Sequence, residues 1–304
     1  YELSYKENLE DLFQRLKNNV YKPEDVIRIY YPKASGLMRP ITLLCLEDQI
    51  IYQAIANFFA DKVRNRREKL QGKIIFSNWL THKRNSEFFL FDWKHGYFGM
   101  RKKIIDEFNQ GNKWMVTFDL SAFYDTISHD LLMKIIAPRS KTSEFSEFIT
   151  KALLQWSSDK PSIKHNHGIP QGPIASNFLS ECFMLPIDEK MSKQYTYIRY
   201  VDDIRIMGKT EKEVRKSLVD LDILCRERGL IPNSEKTSIL RLSSEEDVMQ
   251  NIPPVLLYEE SDIDVINVIS DKLILEVVKE EKGNLVVKDK SRFRYILFHS
   301  GPSN

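Results

Sequence analysis

Two carboxylates stand side by side at Asp202-Asp203, inside the run Tyr197-Ile198-Arg199-Tyr200-Val201-Asp202-Asp203-Ile204-Arg205-Ile206-Met207. Both flanks are rich in Ile, Val and Tyr, which favour strands, so the run reads as strand, tight turn, strand. A turn carrying two like charges repels itself, and one carboxyl keeps its proton unless a cation neutralises the pair. Carboxylate oxygens are hard donors that suit Mg²⁺. An ordinary solvated hairpin tip has the same letters, so the pair alone does not decide between a turn and a metal site.

Two further stretches fit the same chemistry. Met115-Val116-Thr117-Phe118-Asp119 is an apolar strand ending on a carboxylate, and Phe123-Tyr124-Asp125 follows it closely. Gly168-Ile169-Pro170-Gln171-Gly172-Pro173-Ile174-Ala175-Ser176 is a turn-rich loop that opens a helix. In this order, Phe-Asp-x-x-x-Phe-Tyr-Asp-x-Ile-x-His, Gly-Ile-Pro-Gln-Gly-Pro and Tyr-Val-Asp-Asp, the chain resembles a bacterial reverse transcriptase. That branch contains group II intron, retron and phage-defence enzymes, and the chain most resembles the phage-defence-associated ones. The resemblance fades beyond Leu240. It implies an α+β right-hand polymerase. Residues 1–112 would be the fingers and 113–240 an antiparallel-sheet palm with the catalytic carboxylates. Residues 241–304 would be a thumb-like part, cut before a helical extension.

The same resemblance implies roles for single residues. Asp119, Asp202 and Asp203 would hold two Mg²⁺ ions about 3.5–4 Å apart, with Mn²⁺ as a substitute. Lys236, in Gly229-Leu230-x-x-Asn233-x-Glu235-Lys236-Thr237, would protonate the departing pyrophosphate. Tyr124 stands where the family carries an aromatic gate against a 2′-hydroxyl. Lys33 and Arg39 flank a turn at Ser35-Gly36, and two cations across a hairpin suit a triphosphate. That segment also resembles the family's fingers hairpin. In the helix-opening loop, Gly172 allows close backbone approach and Gln171 can hydrogen-bond a sugar or a base.

Arg64, Arg66, Arg67, Lys69 and Lys73 crowd one stretch ahead of an aromatic-rich one. Basic residues beside aromatics suit a nucleic-acid strand. The competing reading is a solvated face above an aromatic core, and the aromatics are assigned to that core. His129 reads as a capping or packing residue, and His165 and His167 as ordinary strand-end residues. Gly96-Tyr97-Phe98-Gly99 departs from the Tyr-Gly-Phe-Arg stretch usual in intron-type enzymes. Residues 211–228 read as a surface helix with Val214, Leu218, Leu221, Leu224 and Cys225 inward. Near the end, residues 273–278 and 284–287 read as a hairpin about Glu280-Glu281-Lys282-Gly283.

Composition sets looser bounds. With 304 residues and 42% hydrophobic content the chain can bury a sizeable core, in one large domain or two smaller ones. A formal charge of +2 would not by itself point to nucleic acid. Cys45, Cys182 and Cys225 are scattered and odd in number, which fits reduced thiols better than disulfides or a zinc site. No run is apolar enough to span a membrane and no secretory signal opens the chain, so the expected location is the cytoplasm. The first residue is Tyr1, as in an excerpt of a longer parent.

The expected function is RNA-directed DNA polymerase, a nucleotidyltransferase acting on dNTPs by two-metal phosphoryl transfer. Its expected partners are an RNA template, a DNA or protein primer and an associated non-coding RNA, in antiphage defence. The alternatives are a retron or group II intron-type enzyme, an RNA polymerase of the same palm plan, and a nucleic-acid-binding module whose site has decayed.

Overall fold

A computed structural model describes residues 4–32, 36–81, 88–136, 144–158, 165–252, 278–281 and 284–287. Helix α1 (Tyr5–Lys17) precedes the hairpin of β1 (Ile27–Pro32) and β2 (Met38–Leu43), then α2 (Leu46–Leu70) and α3 (Trp93–Asn109). Next come β3 (Trp114–Phe118), β4 (Leu120–Ser121), α4 (Phe123–Thr126), α5 (His129–Ile136), α6 (Glu144–Ser157) and α7 (Ile174–Met191). The hairpin of β5 (Thr196–Tyr200) and β6 (Asp203–Gly208) leads to α8 (Glu211–Glu227), β7 (Ile231–Pro232), β8 (Ser238–Arg241) and α9 (Glu245–Gln250).

Tyr1–Val248 form one compact unit and Met249–Asn304 a second. In the second, β9 (Val278–Glu281) pairs antiparallel with β10 (Asn284–Val287), Glu281 opposite Asn284. Glu280 and Glu281, expected in the turn, are strand residues.

The run around Asp202 forms the hairpin its composition predicts. Tyr200 pairs with Asp203, leaving Val201 and Asp202 as the turn. The sheet order is β5-β6-β3-β8, antiparallel throughout, so β3 is flanked on both sides. Behind it lies α7, buried nearly all round through Ala175, Phe178, Leu179, Cys182, Phe183, Leu185 and Met191. A helix buried on nearly every face belongs in a core. Helix α2 packs along it, burying Ile51, Tyr52, Ile55, Ala56, Phe59 and Val63 at helical spacing. Helix α8 buries Val214, Leu221, Leu224 and Cys225 as expected, and Gly229 (φ +76°) ends it.

The departure at Gly96-Tyr97-Phe98-Gly99 has a packing cause. A Cβ on Gly96 would sit 1.7 Å from the Phe76 carbonyl oxygen, so α3 rests directly on backbone. All three cysteines are free thiols, and Cys182 and Cys225 are buried. Among the described residues, no helix is long and apolar enough to cross a membrane.

Candidate active site

The sheet register brings the carboxylates together. Phe118 on β3 lies opposite Ile204 on β6, and one step further on each strand stand Asp119 and Asp203. Asp202 occupies the turn beside them. Val201, before it, has φ +56°, a left-handed conformation that costs a β-branched residue about 1–3 kcal/mol. Such strain persists only where surrounding bonds enforce it.

The three carboxylates are not equivalent. Burial and then the Asp119 charge push the Asp202 carboxyl up to about 6. Burial raises Asp203 as well, but Arg205, two residues along the same strand, pairs with it and opposes the shift. Asp119 Oδ2 receives Lys236 Nζ at 3.1 Å and Asn233 Nδ2 at 3.1 Å. Among the described residues, no three Asp, Glu, His or Cys side chains form a ready-made metal cage. Asp203 is engaged by Arg205, whereas Asp119 takes Lys236 and Asn233. Asp119 with Asp202 still fits a hard divalent cation, which would remove the excess charge that raises Asp202.

Lys236 reaches Asp119 because the chain returns. β7 pairs with β4, Pro232 opposite Leu120, and the Asn233 amide donates to the Asp119 carbonyl at 2.9 Å. A short 3-10 turn at Ser234–Lys236 then carries the lysine, whose side chain is two-thirds exposed.

Tyr124 sits on the single turn α4. Phe123 enters the core, whereas Tyr124 is half-buried and its hydroxyl donates to Asn177 Oδ1 at 2.9 Å. Burial keeps the phenol un-ionised, and the charges of Asp202 and Arg39 both reach it. Arg39, Tyr124 and Asp202 therefore share one electrostatic neighbourhood. Arg39 is exposed on β2 opposite Tyr31. Lys33 lies outside the described residues.

The loop at Gly168 is braced from below. His129 is fully buried, and its Nε2 donates to the Gly168 carbonyl at 2.6 Å, beside Ser157 Oγ at 2.6 Å. Burial lowers its pKa, so it is a neutral packing residue. His165 and His167 stack with centroids 5.2 Å apart, and His167 Nδ1 lies 2.8 Å from the Asp125 carbonyl.

Gln171 and Gly172 act through backbone. The Gln171 carbonyl accepts the Thr42 amide at 2.7 Å. Gly172 has φ +129°, and a Cβ there would meet Ile41 Cγ2 at 3.1 Å. The close approach is to β2, seating the hairpin that carries Arg39. Gly172→Ala is expected to cost about 1–3 kcal/mol. Thermal unfolding should read this as a midpoint lower by several degrees; an unchanged midpoint refutes it.

The basic stretch divides. Arg64, Arg66, Arg67 and Lys69 lie in the last turns of α2, and Lys73 follows it. Arg67 is fully buried, with Nη1 3.1 Å from Glu181 Oε2 and Nη2 donating to the Ser77 and Asn78 carbonyls. Its assignment to nucleic-acid contact is corrected: it faces the core because carboxylates await it there. Arg66 forms a two-pronged pair with Glu189 at 2.7 and 2.8 Å, and Arg64 donates to the Thr81 carbonyl at 3.1 Å. Lys69 and Lys73 are exposed.

Sequence reasoning missed Glu181, Asp188, Arg199 and Ser77, which surround Arg67. A signal was present. Glu181 and Asp188 are two helical turns apart, flanking the apolar run Cys182–Ile187, and Arg199 interrupts an apolar strand.

The family described as reverse transcriptase (RNA-dependent DNA polymerase) matches residues 31–249. The chain belongs to the reverse transcriptase family. The matched span holds β2, the three carboxylates, Tyr124, the Gly168 loop and Lys236. Protein YkfC of Escherichia coli K12 is 24% identical over 188 residues, 62% of this chain and 46% of that protein. The group II intron-encoded protein LtrA of Lactococcus lactis subsp. cremoris is 27% identical over 191 residues, 60% of this chain and 28% of that protein. The chain spans less than half the length of the curated relatives it matches. A solved structure of apo telomerase from Candida tropicalis, truncated from its C-terminal domain, aligns with a TM-score of 0.49 and 16% identity, covering 72% of this chain and 50% of that one. The expected α+β reverse transcriptase fold is borne out.

Proposed function

We propose that this chain is the polymerising core of an RNA-directed DNA polymerase, with fingers over 1–112, palm over 113–240 and a thumb-like part over 241–304. The supporting observation is the juxtaposition of Asp119 and Asp202, with excess negative charge, in the span matched by the family. Divalent cations bound there, two Mg²⁺ or Mn²⁺ in the two-metal scheme, would supply acidification of a primer hydroxyl and neutralisation of a triphosphate. Asp119, Asp202 and Asp203 would hold the metals, with Arg205 beside Asp203. Arg39 and Lys33 bind the triphosphate, and Tyr124 excludes the 2′-hydroxyl. Lys236, near Asp119, hands a proton to the departing pyrophosphate. Lys69 and Lys73, with Arg64 and Arg66 behind them, face template phosphates.

The reaction needs an RNA template, a DNA or protein primer and dNTPs, with a non-coding RNA as a further partner, in the cytoplasm. The biological setting we favour is antiphage defence. A group II intron or retron-type role is the second reading, favoured by the likeness to LtrA. Sequencing the nucleic acid that copurifies with the protein separates them.

The primary test is extension of a DNA primer on an RNA template with dNTPs and Mg²⁺. Synthesis abolished by EDTA supports the reading; no synthesis, or synthesis from ribonucleotides only, overturns it. Arg39→Ala should raise the dNTP KM about tenfold, the low end for a hydrogen bond to a charged group at an exposed site, with template Kd unchanged. Unaltered nucleotide kinetics would make Arg39 a surface residue only.

A further inference from the structure

Beneath the carboxylate turn lies a group of charges that the reaction above does not use. Arg67, Glu181, Asp188 and Arg199 are all fully buried. Arg199 Nη2 lies 2.9 Å from Glu181 Oε2 and 2.6 Å from Asp188 Oδ2, and its Nε 2.7 Å from Asp188 Oδ1. Two cations thus balance two carboxylates. Burying ions costs several kcal/mol each unless their donors and acceptors are used, so stability alone is a weak reason for such a cluster.

The remaining bonds lead to one residue. Arg199 Nη1 donates to the Val201 carbonyl at 2.8 Å. The Val201 amide donates to Ser77 Oγ at 2.7 Å, and Ser77 Oγ donates in turn to Glu181 Oε1. Both backbone polar groups of the left-handed Val201 are therefore tied to the buried cluster. The segment carrying Ser77 is itself fastened to β5, with the Arg199 amide on the Ile74 carbonyl at 2.8 Å and the Phe76 amide on the Arg199 carbonyl at 2.9 Å. Val201 immediately precedes Asp202.

We propose that Ser77, backed by Glu181 and Arg199, is a positioning residue that holds Val201 in its left-handed conformation and so aims the Asp202 carboxylate. Without the hydroxyl, the Val201 amide has no acceptor and the strained φ loses one of its two restraints. The inference rests on the polymerase reading, but it can be tested apart from it. The probe is Mn²⁺ alone, followed by electron paramagnetic resonance. The relevant binding is the component that Asp202→Asn removes.

Ser77→Ala should weaken that component about tenfold, the worth of one hydrogen bond. Exchange of the Val201 amide should quicken, and kcat should fall at least tenfold with dNTP KM and primer–template Kd within about twofold. Should Ser77→Ala prove too unstable to purify, Ser77→Cys keeps the volume with a weaker acceptor and should move the same readouts less. Unchanged Mn²⁺ affinity in a folded variant overturns the proposal, as does a loss of kcat matched by equal losses in substrate binding. If the wild type makes no DNA, the polymerase reading fails, while Mn²⁺ affinity and amide exchange still decide the role of Ser77.

Discussion

Asp202→Asn is expected to abolish primer extension while the chain stays folded. The loss should exceed the 10–100-fold typical of removing only an outer partner of a metal ligand, since here a ligand charge itself disappears. The fold should not suffer. Burial and the Asp119 charge already disfavour the Asp202 carboxylate, so a neutral amide of the same shape relieves a repulsion. Thermal unfolding should show a midpoint equal to or above that of the wild type. Asp119→Asn should be equally inactive, but it also surrenders the ion pair with Lys236. Robust DNA synthesis by folded Asp202→Asn would sink the catalytic assignment.

Tyr124→Ala is expected to lower the preference for deoxynucleotides over ribonucleotides by on the order of 10²-fold in relative kcat/KM, the scale on which a shaped pocket rejects one extra hydroxyl. The ring is held against the core on one side and by Asn177 on the other, so it cannot swing aside for a 2′-hydroxyl. Alanine opens that space and leaves deoxynucleotide use less affected. Tyr124→Phe keeps the ring and loses only the bond to Asn177, so its selectivity should stay near the wild type. Competition of the two sugars on one primer–template gives the ratio. Equal use of both by the wild type, or a ratio unmoved in Tyr124→Ala, would refute the gate.

Local patterns were legible in the sequence. Alternating β-branched and aromatic residues marked β5 and β6, and the apolar face of α8 was read almost residue for residue. The adjacency of Asp119 and Asp202 followed from family order, since strands ending on carboxylates carry no sign of which strand lies beside which. The fate of Arg67 was not legible. A helix rich in Lys and Arg looks solvated until its partners are known, and Glu181 lies over a hundred residues away. Gly172 was read as allowing a close backbone approach, and β2 is one element that comes close, which a glycine signals without naming. The Ser77 segment has no periodicity at all, and its meaning lies in bonds to a turn 124 residues further on.

The central place of β3 has a consequence for how the chain is made. Its neighbours β6 and β8 both follow it in synthesis, and Thr117 meets Ser238 across 121 residues of sequence. At about 5–20 residues per second, β3 waits on the order of ten seconds for its last partner. Until β6 emerges, Trp114–Phe118 is a largely apolar, strand-forming segment with both edges bare, and afterwards one edge still waits for β8; such edges pair with a neighbouring nascent chain. Lys113 and Asp119 stand at its two ends as charged gatekeepers. A charge at each end is the kind of device that discourages such pairing before Ile206 and Ile239 take their places on either side of Val116.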